Sequence, residues 1–195
     1  MDSVCGDKLE EGDAWVYTCL KRESYLLASF SVGKWTQETC RAMFEKLTLE
    51  TKTPSLSEKL QVFSDGNDDY TVVLPEYYPV AFVDYGQLVK IKKRGKLVGK
   101  IKTVVYGSPQ LEDIETTNVE NHNGIFRERV GRLVRKTKCV SKKKSRLVSA
   151  VGLFQFYWNF INEFERDTSP GMMEGLADHI WSWGEFFDYH ISSLN

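Results

Sequence analysis

The chain has 195 residues, 42% of them hydrophobic, with a formal net charge of -1, which allows one sizeable core and demands no second one. Its four cysteines (Cys5, Cys19, Cys40, Cys139) lie far apart with no Cys-x-x-Cys pair, which excludes a zinc ribbon within the chain and a secreted disulfide framework. The acidic, polar start MDSVCGDKLEEGD is no signal peptide, so the thiols are expected to be reduced and the protein cytoplasmic.

In chain order, residues 13–20 and 25–32 are rich in aromatic and β-branched residues and predict an antiparallel hairpin turning at 21–24. Thr36 is a plausible N-cap, and Cys40, Met43, Phe44 and Leu47 follow at helical spacing. Leu60, Val62 and Phe63 predict a short strand stopping at Asp65-Gly66, and an acid ending a buried strand is a common catalytic position, although Asp-Gly is also an ordinary turn signal. A helix over 67–78, interrupted by Pro75, a strand over 79–85 and a hairpin turning at Arg94-Gly95 come next. In that hairpin six lysines (Lys90, Lys92, Lys93, Lys96, Lys100, Lys102) alternate with apolar residues, as an edge guarded against aggregation would, and equally as a phosphate-contacting face would. The most apolar run, 147–164, is interrupted by Gln155, Asn159, Asn162 and Glu163 and reads as a buried core helix, with no membrane span. Residues 168–170 break the chain, and a short helix begins near Trp181. His122, His179 and His190 show no metal-ligand spacing.

Charge is distributed unevenly. Residues 127–146 hold ten basic residues (Arg127, Arg129, Arg132, Arg135, Lys136, Lys138, Lys142, Lys143, Lys144, Arg146) against one acid, Glu128. The remainder of the chain has 16 basic and 26 acidic residues, an asymmetry that points to a polyanionic partner. Apolar Phe126, Val130, Leu133 and Val134 recur at helical spacing, predicting a docked basic helix immediately after Glu120. An isolated charge run of this kind is more commonly a solvated face.

Several stretches together resemble the transposases of a bacterial and archaeal insertion-sequence family in the three-carboxylate (DDE) class. They are Gly12-Asp-Ala-Trp15, the strand ending in Ser64-Asp65-Gly66, Asp84-Tyr-Gly-Gln-Leu-Val-Lys-Ile91, Tyr106-Gly-Ser-Pro109 and Thr117-Asn-Val-Glu-Asn-His-Asn123. Ser141-Lys-Lys143, Tyr157-Trp-Asn-Phe160 and Gly175-Leu-Ala-Asp-His-Ile-Trp181 extend the likeness over nearly the whole chain. The resemblance implies an α/β, ribonuclease H-like fold, a mixed sheet flanked by helices, over residues 1–166, followed by a helical tail over 167–195.

It also implies that Asp65 and Glu120 are the second and third catalytic carboxylates and ligands of Mg²⁺ or Mn²⁺, with Asn121 standing where the family has arginine. Two such metals, about 4 Å apart, would serve in-line cleavage and transfer of DNA strands. Arg127, Arg129, Arg132, Arg135, Lys136, Lys138, Lys142 and Lys143 would contact DNA backbone, and the partners would be element ends, target DNA and further copies of a transposase. The family's first Asp lies on a strand upstream of the Gly-Asp-x-Trp strand. The economical expectation is that the chain lacks that strand, with Asp13 as the alternative first carboxylate. A catalytically inactive remnant that binds only DNA or a full-length transposase is the competing reading, and a structure-selective nuclease of the same fold is a third.

Overall fold

The computed structural model describes residues 14–133 and 141–192. Readings that concern Cys5, Asp13, Val134, Arg135, Lys136, Lys138, Cys139 and the side chain of His190 lie outside the described residues. The chain divides into two compact units, one of Met1–Cys19 and Ser29–Asn121 and the other of Leu20–Ala28 and His122–Asn195. Together they make a mixed α/β protein whose larger sheet has three strands flanked by helices.

The predicted hairpin forms from β1 (Trp15–Leu20) and β2 (Leu27–Gly33), which make a two-stranded sheet of their own. Helix α1 (Gln37–Glu50) starts where expected, because the Thr36 hydroxyl accepts the Thr39 N–H at 3.4 Å, and its predicted face, Cys40, Met43, Phe44 and Leu47, is buried. Cys40 is a free thiol pushed up to about 12 by burial, so it is inert as a nucleophile at neutral pH.

The second sheet of this unit has the order β3 (Leu60–Asp65), β4 (Val83–Lys93), β5 (Lys96–Tyr106). β3 and β4 are parallel, joined through helix α2 (Asp68–Tyr77), and β4 and β5 are antiparallel. Two expectations are corrected here. Helix α2 runs through Pro75 instead of breaking there: the carbonyl of Thr71, which a proline four residues on cannot reach, accepts the Tyr106 hydroxyl at 2.7 Å. The strand expected over 79–85 begins only at Val83, because the Phe82 N–H closes back on the Pro79 carbonyl at 2.8 Å in a 3-10 turn, after which β4 continues unbroken to Lys93. Arg94 and Gly95 both adopt positive φ (51° and 76°), the two-residue turn whose twist matches antiparallel strands.

In the second unit, α3 (Thr117–Arg129), which begins in the first, ends in a 3-10 turn at Gly131–Leu133. The expected basic helix ends sooner than its apolar spacing through Val134 predicts: Glu120 lies in the first turn of α3 and Arg127 and Arg129 in its last, and Gly131, a poor helix residue, follows its end. Helix α4 (Lys144–Phe156) passes into a π-helical turn, Tyr157–Ile161, and stops short of the predicted 164 where the Asn162 N–H returns to the Tyr157 carbonyl at 2.7 Å. Ser169 caps α5 (Pro170–Met173), and α6 (Trp183–Ser192) opens with a reciprocal cap. There the Ser182 hydroxyl accepts the Glu185 N–H at 3.2 Å while the Glu185 carboxylate accepts the Ser182 N–H at 2.7 Å. No helix among the described residues is long and apolar enough to cross a membrane.

The core of this unit surrounds His122. Its ring is 0% exposed, lies edge-on to Trp158 at 4.8 Å between centroids, and packs on Phe126 and Phe154. Burial pulls its pKa down to about 4, so the imidazole is neutral in the fold. An unfolded chain takes up the proton first, near 6.5, so this group's contribution is intact above that pH and is lost as pH falls toward 4. Between pH 7.5 and pH 4.5 that amounts to roughly 2.5 kcal/mol. Urea unfolding of the wild type and of His122→Leu at the two pH values should show the variant losing less stability on acidification by about that amount. Equal losses would exclude His122 as the acid-sensitive group.

Candidate carboxylate site and basic surfaces

Asp65 is the last residue of β3 and pairs in register with Leu88 of β4, so its side chain lies on the Leu88 side of the sheet. Lys90, two residues and about 7 Å further along β4, shares that side. Its ammonium donates to Glu120 Oε2. Gly86 is on this face too. A Cβ there would come within 2.5 Å of the Ile114 side chain, so the glycine lets the segment leading into α3 lie directly on the strand. Asp65 and Glu120, 55 positions apart in the chain, thus occupy one face at the end of the β3–β4 pair.

The two carboxylates are held differently. Asp65 is exposed, and its Oδ1 accepts the Asn67 N–H at 3.2 Å, the Asx turn that leads into α2. Glu120 accepts from Lys90 and from the buried Thr116 hydroxyl, while its own N–H donates to the Thr116 carbonyl at 3.0 Å. Burial alone raises its pKa, but the bonds from Lys90 and Thr116 and the charge of Lys100 outweigh it and hold the carboxyl below the usual range. Asp84, inside the resemblance motif, is a structural acid. It accepts Ser108 N–H at 2.9 Å, Gln61 Nε2 at 2.8 Å and Lys59 Nζ at 3.2 Å, and the backbone donor above all keeps it ionised.

The lysine hairpin is partly neutralised from within. Lys90 and Lys100 face each other in register, a repulsive pair that the Glu120 carboxylate relieves, and Lys102 pairs with Glu115 at 3.2 Å. Reading the lysines as a free phosphate-contacting row missed these acids, since nothing in the sequence shows that the approach to α3 folds back over the hairpin.

In the second unit Arg127 is exposed in the last turn of α3. Arg129 is fixed, its Nη1 donating to the Tyr157 hydroxyl at 2.6 Å and to Asn162 Oδ1 at 3.0 Å, with the guanidinium 5.6 Å from the Tyr157 ring centroid. Arg132, Lys142, Lys143 and Arg146 line a concavity of about 380 Å³, in which Arg132 Nη1 donates to the Ser141 hydroxyl at 3.2 Å. A second, open groove of about 690 Å³ shares Arg132 and is walled by Arg129, Leu153, Phe154, Tyr157 and Trp183. In the sequence Tyr157 stands in a motif and Trp183 in the short helix expected near Trp181, and no periodicity signals that they meet in one groove.

Among the described residues no group of three or more His, Cys, Asp or Glu side chains is placed to hold a metal ion. Asp65 and Glu120 are hard oxygen donors, but they are two, and a lysine already occupies one of them. This donor set does not fit a two-metal centre. No family model, curated protein or solved structure matches the chain.

Removing the Lys90 charge should leave burial of Glu120 opposed only by Thr116 and the more distant Lys100. In Lys90→Ala the Glu120 carboxyl pKa, followed by carbon-13 NMR, is expected to rise. Its depressed pKa contributes stability above the ordinary carboxylate value that is lost as pH falls through the folded value, so the acid limb of stability should also flatten. An unmoved pKa would show that Lys90 does not set it.

Proposed function

We propose that this chain is a DNA-binding domain of the insertion-sequence transposase class, built on a ribonuclease H-like plan. We propose further that its described residues hold DNA without by themselves cutting it. The observation that carries the reading is the common sheet face of Asp65 and Glu120, one acid at the end of a parallel strand and the other in the first turn of α3, bonded to Lys90 of that face. The antiparallel hairpin, helix α1 and the parallel β3–α2–β4 unit support it. So does the edge of β3: the resemblance puts the family's first strand beside the strand ending in Asp65, and among the described residues β3 has β4 as its one neighbour. Arg127, Arg132, Lys142 and Lys143 are the cations assigned to DNA phosphates.

The reading without cleavage is favoured over a self-sufficient transposase by the donor set. Mg²⁺ or Mn²⁺ would supply Lewis-acid chemistry in this class, but among the described residues the site has two carboxylates, one bridged to Lys90, and no third ligand. The missing acid is assigned to another segment or to a second transposase chain pairing with β3, which would also relieve its unpaired edge.

Replacing Arg132, Lys142 and Lys143 by Ala together should weaken binding to duplexes of unrelated sequence alike. The slope of log K against log salt should fall by about 2.7, from roughly 0.9 per phosphate contact. An unchanged slope in the folded triple variant removes these residues from the DNA surface. With Mg²⁺ or Mn²⁺ the chain alone should not nick DNA, and nicking that disappears in Asp65→Asn and Glu120→Gln would establish a complete site and overturn the binding-only reading.

A further inference from the structure

The two concavities of the second unit differ in chemistry and share a wall. The larger is aromatic and apolar. The rings of Tyr157 and Trp183 lie within 8° of parallel at 6.0 Å between centroids, and Leu153, on α4, is 46% exposed beside them. The smaller is lined by four cations, Arg132, Lys142, Lys143 and Arg146, with no carboxylate in its lining among the described residues. Among the described residues none of these four is ion-paired with an acid. Arg132 lines both.

An exposed aromatic face adjoining a cluster of cations is complementary to a nucleotide, whose base presents a π-face and whose phosphate presents charge. In a duplex the base faces are stacked on one another and cannot reach a protein ring, whereas an unpaired base can. The walls are preformed. Trp183 follows the Ser182–Glu185 reciprocal cap, the preceding Trp181 N–H donates to the Phe160 carbonyl at 2.9 Å, and Arg129 holds Tyr157 by its hydroxyl. Little ordering is needed for a base to stack on the exposed part of the Trp183 ring, which favours binding.

We propose that this groove binds an unpaired nucleotide of single-stranded DNA, its base stacked on Trp183 beside Tyr157 and an adjacent phosphate in the Arg132–Lys142–Lys143–Arg146 pocket. The proposal rests on the nucleic-acid reading above and adds strand state to it: the protein distinguishes frayed or single-stranded DNA from duplex.

The test measures fluorescence anisotropy of a labelled oligothymidine and of a labelled duplex of equal length with the full chain, and intrinsic tryptophan fluorescence on titration. The oligothymidine should bind more tightly and quench tryptophan emission. Trp183→Ala should weaken it about tenfold while changing duplex affinity less than twofold, and Trp183→Phe should recover part of the loss. Leu153→Glu, at an exposed position, should act like Trp183→Ala by placing a hydrated carboxylate where the apolar face of the base would pack. Lys142→Ala with Lys143→Ala should weaken both ligands and lower both salt slopes. If neither ligand binds the wild type, the nucleic-acid reading itself fails. If both bind but Trp183→Ala and Leu153→Glu leave the oligothymidine unaffected, or weaken both ligands equally, the groove is not a base site. If those variants instead change only the oligomeric state seen by light scattering, the groove is an interface between copies and the proposal is overturned.

Discussion

The parallel register of β3 on β4 is the constraint on which the candidate site depends. A slip of one residue would turn every β3 side chain to the opposite face and carry Asp65 away from the side where Glu120 is held. Cross-strand contacts on both faces oppose such a slip. On one face Gln61 donates to Asp84 at 2.8 Å. On the other the Ser64 hydroxyl lies 2.7 Å from the Tyr85 hydroxyl, which also accepts Gln87 Nε2 at 2.9 Å. Gln87 reaches on to the Asn67 carbonyl and the Thr71 hydroxyl, so the start of α2 is tied to the same strand pair. Buried polar side chains add little net stability when satisfied but penalise every alternative pairing, and here that penalty fixes which way the terminal acid points.

The second determinant is how the first unit distributes charge. β4 and β5 bring lysines into direct opposition, and the approach to α3 supplies Glu115 and Glu120 to meet them. Half-exposed ion pairs contribute little to stability, so their consequence is chiefly orientational. Glu120 is ionised, anchored between Lys90 and Thr116, and presented over the sheet with one oxygen bonded by each. A divalent cation brought to this face would compete with the Lys90 ammonium for Glu120. Arg132, Lys142, Lys143 and Arg146 of the second unit make no such ion pair among the described residues, which is why the proposed polyanion is assigned to them rather than to the hairpin.

Local rules made much of the architecture legible. The aromatic and β-branched runs of β1 and β2, the Thr36 cap, the strand ending at Asp65 and the Arg94-Gly95 turn each follow from a few adjacent residues. What escaped depended on distant partners. Pro75 stays inside a helix because Tyr106, 31 residues on, satisfies the carbonyl it strands. Residues 79–85 have strand composition, but Pro79 leads into a 3-10 turn before the pairing with β3 begins at Val83. The carboxylates Asp65 and Glu120 could be named from motif order, yet the lysine that holds Glu120 could not, because its role exists only once the hairpin and α3 share a face. The aromatic groove was invisible for the same reason.

The π-helical turn explains how one short segment serves both a core and a surface. Within Tyr157–Ile161, Trp158 is buried and donates its indole N–H to the Tyr25 carbonyl at 2.8 Å. Asn159 closes both backbone groups of Leu27, its Oδ1 accepting the N–H at 2.9 Å and its Nδ2 donating to the carbonyl at 3.1 Å, while Gln155 adds a bond to that same carbonyl at 2.8 Å. The side chain of Asn159 thereby substitutes for a neighbouring strand at the end of β2, leaving no unpaired polar group on Leu27. Widening the helix by one residue per turn changes the angular spacing of successive side chains, so that Trp158 and Asn159 face inward while Tyr157 lines the groove opposite Trp183. Straightening this turn into α-helix would re-aim Tyr157, Trp158 and Asn159 together, so the contacts to Arg129 and to Leu27 depend on one backbone conformation. The Tyr157 side of the groove is therefore fixed by the same turn that buries Trp158 and Asn159 in the core.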